Sequence, residues 1–303
     1  MTKRILAVSL LVLALACNKN ENDNNNSTPP VNNPPGNSLN LALDSTKFQF
    51  LSLVVPTDTL NFWNSNSINS TEGAARLKKL TQGVYQKMKD SFDIIIYVMN
   101  NAAVPTGMPT GEATIIQNNV QGIGLSTFNN ASQYGSSGKL QHIAFLYKSA
   151  YVSTTTMGPV FHEICHRWCN WIVPTNYGGH WGTGSGIVGQ LTNVTVPYAD
   201  IELYLMGFID AAQITSASGI AAYNSISAAS KPRVPSAATS QHHFKALFVM
   251  MSAATLNSSE RNSYNAGLTN FQSKDTTAWA YNFFRATKGL GTLSVDNLNN
   301  CIK

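Results

Sequence analysis

Residues 157–171 read Met157-Gly158-Pro159-Val160-Phe161-His162-Glu163-Ile164-Cys165-His166-Arg167-Trp168-Cys169-Asn170-Trp171. The pattern predicts a helix over about residues 156–171, with Pro174 just beyond, where a helix commonly stops. On that helix the step from His162 to His166 turns about 400°, which leaves the two imidazoles roughly 40° apart in azimuth and one turn apart along the axis. Two imidazoles so placed suit a tetrahedral zinc ion. Glu163 follows the first histidine directly, and its carboxylate falls beside the open coordination position, where it can take a proton from water.

Upstream, residues 47–55 (KFQFLSLVV) predict a strand and residues 71–92 (TEGAARLKKLTQGVYQKMKDSF) a helix, entered through a capping Ser or Thr. Residues 93–99 (DIIIYVM) form a continuous β-branched apolar run of the length of a buried strand. Residues 121–127 (QGIGLST) and 139–147 (KLQHIAFLY) predict two further strands, the first an edge that an extended substrate can join. His142 shares a strand face with Leu140 and Leu146, which predicts a packed core histidine. Downstream of the motif, residues 177–190 are glycine-rich. Helices are expected over residues 242–254, with His242 and His243 at the start, and over 259–271 and 276–286. The fold class is therefore α+β, in a single domain over residues 41–303 with a cleft between about 41–175 and 176–303.

The chain has 303 residues, enough for a full core, and only 12% of them are charged. Its formal charge of +5 includes Lys3 and Arg4, and no Lys/Arg cluster accompanies it, so nucleic acid is not an expected partner. Lys3 and Arg4 precede an apolar run over residues 5–16 that is too short to span a bilayer, and the pattern reads as a signal peptide over residues 1–16. Ala14-Leu15-Ala16-Cys17 resembles the bacterial lipoprotein cleavage box, which implies lipidation of Cys17. Residues 18–40 (NKNENDNNNSTPPVNNPPGNSLN) carry too few apolar side chains to offset the entropy of ordering, and read as a tether. The implied location is the bacterial cell envelope, lipid-anchored and facing either the periplasm or the surface, or otherwise secretion. A monomer is expected.

Catalytic zinc takes three protein ligands and leaves a position for water. His180, in the glycine-rich stretch, is the first candidate for the third. Glu202 is the alternative, with Asp200 and Asn170 behind it. Tyr198 and Tyr204 are candidate hydrogen-bond donors to an oxyanion. Gly184-Ser185-Gly186-Ile187-Val188-Gly189 matches a dinucleotide fingerprint in letters only, because no strand precedes it and no helix follows.

The His-Glu-x-x-His stretch resembles the zincin metallopeptidases. With His180-Trp181, the segment over residues 202–207 (ELYLMG) and the segment over 286–292 (ATKGLGT), it also resembles uncharacterised secreted bacterial proteins assigned to the metallopeptidases, over roughly residues 93–293. The resemblance implies a mixed sheet and an active-site helix in an upper subdomain, and a mainly helical C-terminal subdomain that supplies the third ligand. It implies Zn²⁺ on His162 and His166, Glu163 as general base, and a peptide or protein substrate. Arg167-Trp168-Cys169-Asn170 stand where the metzincin branch has a glycine turn, so the spacing to a third ligand is longer. Met206 is then the candidate for that branch's methionine-containing turn.

Cys165 and Cys169 share a helical face away from the zinc face, and i,i+4 cysteines on a helix rarely meet disulfide geometry. In an oxidising compartment, one of them is expected to pair with Cys301. The function class that competes with a peptidase is a non-catalytic surface binding or adhesion lipoprotein that keeps the same fold.

Overall fold

Six apolar residues in succession leave Ile94–Met99 with no face for water, and the strand they form lies near the middle of the sheet, fully buried. The structure, a computed structural model, describes residues 41–43 (backbone only), 49–152, 158–169, 171–173, 197–276, 282–295 and 298–303. Residues 1–40, Asn170 and His180 lie outside the described residues, so the expectations for the signal, the tether, Cys17 and the first-choice third ligand fall there.

In chain order the strands are β1 (Leu41–Leu43), β2 (Phe50–Val54), β3 (Ile94–Met99), β4 (Gly111–Ile115), β5 (Gln117–Asn118), β6 (Phe128–Asn129), β7 (His142–Leu146), β8 (His243–Ser252) and β9 (Thr292–Ser294). The α-helices are α1 (Thr57–Trp63), α2 (Thr71–Lys87), α3 (Gly158–Cys165), α4 (Asp200–Met206), α5 (Ala217–Ser225), α6 (Ser258–Phe271) and α7 (Phe283–Ala286). The main sheet runs β1-β2-β8-β3-β7-β4, with β9 against the start of β8, while β5 and β6 form a separate small ribbon. Its four inner strands are parallel; β1 and β4 are antiparallel to their neighbours. The mixed sheet with helices agrees with the α+β expectation.

Strand alternation divides the core in two. Ile94, Ile96 and Val98 face the side of α3, α4, α6 and α7, with Phe161, Ile164, Leu205 and Phe271. Ile95, Tyr97 and Met99 face the side of α2, with Leu77, Val84 and Phe145. Each large side chain so buried contributes roughly 1.5–3 kcal/mol relative to an exposed position.

Several expectations change. Residues 242–254 are not a helix: His243–Ser252 is β8, paired on one side with β2 and on the other with β3. Its run of Leu, Met and Ala has no alternation because both faces are covered, and periodicity cannot tell that from a buried helix. The C-terminal half therefore supplies a central strand of the sheet besides the helices α4, α5, α6 and α7. Residues 121–127 do not form an edge strand either. Gly122 and Gly124 adopt φ of 78° and 86°, which turns the chain, and only Gln121 bridges, to Val234. The two ends of the strand order are β1 and β4, both antiparallel to their neighbours. Finally, α2 ends at Lys87 rather than 92, where Met88 becomes extended and bridges Ile302.

Candidate metal centre

α3 begins Gly158-Pro159, with proline in the first turn where its missing N–H costs nothing, and it ends at Cys165 rather than near residue 171. Beyond it the bonds tighten: Arg167 N–H donates to Ile164 O at 3.1 Å and Trp168 N–H to Cys165 O at 3.0 Å. That tightening takes Arg167 away from the carbonyl of Glu163. A helix end cannot be buried with its carbonyls unmet. His142 on β7 supplies the donor, with Nε2 2.8 Å from Glu163 O. Burial first, and then the Arg167 charge, pull His142 down to about 3, so the ring is neutral and Nε2–H donates. Two residues back, Tyr198 Oη donates to Phe161 O at 2.8 Å. The apolar side of α3 stacks Phe161 on Phe271, with centroids 5.4 Å apart and planes 11° apart.

Pinned in this way, α3 and the turn that follows it present His162 and His166 with their Nε2 atoms 3.1 Å apart and their rings edge to face at 85°. The edge of a zinc tetrahedron with bonds of 2.0–2.1 Å is about 3.3 Å, so the two nitrogens already stand at chelating separation. Both imidazoles are buried. Facing nitrogens at this range need a proton or a cation between them.

Glu163 is buried beside them, and desolvation, followed by the charge of Glu112, raises its carboxyl well above the usual carboxylate range. A carboxyl so placed readily holds a proton, the property a general base needs after it has accepted one. Its space is provided by Gly111 on β4, where an added Cβ would come within 2.9 Å of Glu163 Cγ and Oε1. Glu112 is held by Ile68 N–H at 2.9 Å and by the hydroxyls of Ser67 and Tyr147.

The other sequence candidates are distributed as follows. Tyr198 donates its only hydroxyl proton to Phe161, and the Tyr204 hydroxyl accepts from Arg233 N–H at 3.0 Å. Met206 ends α4, shares the buried cluster with Ile164, and is followed by a turn at Gly207. Glu202 Oε2 accepts from Ala199 N–H at 2.7 Å, and burial, with the Glu202 charge adding to it, raises the thiol pKa of Cys165 and of Cys169. Asp200 is taken up by Lys288 at 2.7 Å and by the backbone of Thr215 and Ser216. Among the described residues, no group of three or more His, Cys, Asp or Glu side chains converges. The described residues thus offer a metal ion two imidazole nitrogens beside a carboxyl group.

Cys301 does not pair with either helix cysteine. It lies in the core on the α2 side of the sheet, whereas Cys165 and Cys169 lie in the core on the α3 side. Sequence reasoning also missed the supporting roles of His142, Gly111 and Glu112. His142 was visible as a buried histidine, but its partner is a helix carbonyl that no local pattern encodes.

The chain matches no known family model, no characterised protein and no solved structure.

Proposed function

We propose that the chain is a zinc-dependent peptidase, held at a bacterial envelope through lipid on Cys17, that acts on peptide or protein substrates. The observation that carries this reading is the approach of His162 Nε2 and His166 Nε2 to 3.1 Å, beside a buried carboxyl on Glu163. His162, His166 and His180 would hold the metal, with Glu202 the alternative third ligand. Zinc affinity measured in His180→Ala against Glu202→Ala decides between the two. When bound, zinc would supply Lewis acidity, lowering the pKa of water toward about 7 and polarising a carbonyl.

The chain's own residues do the rest. Glu163 accepts the proton of the attacking water and passes it to the leaving amine. His142 and Tyr198 hold the helix backbone on either side of His162, so the carboxylate and imidazoles keep their relative positions. Gly111 keeps β4 close to Glu163, and β4 pairs only with β7 among the described residues. Its outer edge is therefore suited to main-chain pairing with an extended substrate.

The test is Glu163→Gln, which keeps shape and hydrogen bonding but removes the base. Retained zinc, with a loss of peptide hydrolysis on the order of 10²–10⁴-fold, is expected. A zinc-loaded wild type that cleaves no member of a broad peptide library would overturn the peptidase reading in favour of a binding lipoprotein.

A further inference from the structure

Cys165 and Cys169 are both buried, and their sulfurs stand 3.1 Å apart as thiols. Two features bring about this approach. α3 stops at Cys165, so Cys169 is carried by a turn and is not bound to the Cβ directions of a continuing helix. The turn nevertheless keeps one helix-like bond, Cys169 N–H to Cys165 O at 3.0 Å, which holds the two backbones at bridging range. The reason i,i+4 cysteines usually fail to pair is the fixed Cβ directions of a regular helix, and the regular helix here ends at Cys165.

We propose that Cys165 and Cys169 form a disulfide that closes the turn following α3 and fixes His166 within it. Closing the bond moves the sulfurs together by about 1 Å. The oxidant is a small-molecule disulfide such as oxidised glutathione. One cysteine thiolate attacks it, forming a mixed disulfide and releasing one glutathione thiolate. The second cysteine then attacks the protein sulfur of that mixed disulfide, forming the Cys165–Cys169 bond and expelling the second glutathione. The two thiol protons end on the two glutathiones, so two cysteines are oxidised as one disulfide is reduced to two thiols. Because both sulfurs are buried in the folded chain, the bond forms while this segment is still open. It then becomes inaccessible to reductant.

The bond has a structural consequence at the proposed metal centre. His166 lies between the two cysteines, and its carbonyl accepts from Trp171 Nε1 at 3.3 Å. The turn is thus tied at both ends, by the sulfurs and by the indole.

The sequence makes the test direct. Trypsin cuts after Arg167, inside the loop, so the two cysteines fall in separate peptides, residues 149–167 and 168–233, while Cys301 falls in 289–303. The full chain is refolded with oxidised and reduced glutathione, alkylated after denaturation, digested without reductant and mapped by mass. The expected result is 149–167 joined to 168–233, lighter than the sum of the free peptides by two hydrogens. Cys301 should be alkylated, and the linkage should be unchanged in Cys301→Ser. Separate alkylated peptides 149–167 and 168–233, or a link from either to 289–303, would overturn the proposal. The mapping involves no metal and no substrate, so its outcome is independent of the peptidase reading.

Discussion

At the scale of single residues, His142 shows how one side chain can support a site it does not enter. Its ring donates to Glu163 O from full burial, and burial holds its pKa at about 3 against an unfolded value of about 6.5. The sign follows from proton counts. Between those two values the unfolded chain binds a proton that the folded chain refuses, so His142 makes stability fall as pH falls through that window, by up to about 1.4 kcal/mol per pH unit. Glu163 acts the other way, since its raised pKa lets the folded chain take up a proton first. The two are separated by measuring urea unfolding of the metal-free wild type and of His142→Gln across this range. The wild type should lose stability relative to the variant as pH drops, and parallel curves would contradict the assignment. The nearness of His162, Glu163 and His166 was legible from sequence because a spacing of four brings two side chains together over a single turn, although that turn lies partly beyond the end of α3. His142 was legible as buried, but its task was not, because a histidine's partner across a sheet leaves no periodic trace.

At the scale of elements, the site depends on how closely β4 approaches α3. Gly111 permits that approach, because a methyl there meets both Glu163 and Leu146 Cδ2 at 2.9 Å. Gly111→Ala is therefore expected to displace the Glu163 carboxylate and to lower peptide hydrolysis on the order of 10–100-fold, while zinc content stays level because the imidazoles are untouched. Hydrolysis equal to the wild type would show that the close approach does not position the base. The strands β2, β3 and β7 and the helices α2 and α6 could be read from composition and period, because they have plain boundaries or a clean apolar stripe. β8 could not, since a strand covered on both faces loses the alternation that marks strands. The edge expected at residues 121–127 failed for a different reason: its glycines act as turn residues there, with positive φ.

At the scale of the whole molecule, the sheet is assembled from both halves of the chain, and β8 from the C-terminal half stands between β2 and β3. Among the described residues, each of the two cores draws side chains from before and after residue 175. The α3-side core joins Ile96 and Leu146 to Met206 and Phe283, so the helix that carries the histidines packs on residues from both halves. A ligand bound only by this folded arrangement raises stability by mass action, in proportion to the logarithm of its concentration above Kd. Zinc should therefore raise the melting temperature of the intact chain, and a chelator should reverse the effect.

The most direct measurement is the zinc content per chain of the purified full-length protein, determined by elemental mass spectrometry for the wild type, His162→Ala and His166→Ala after equilibration with zinc and removal of the excess. The account predicts one zinc per chain in the wild type and loss of that zinc in both variants while the chain remains folded by circular dichroism. A wild type that retains no zinc, or variants that retain as much as the wild type, would contradict it.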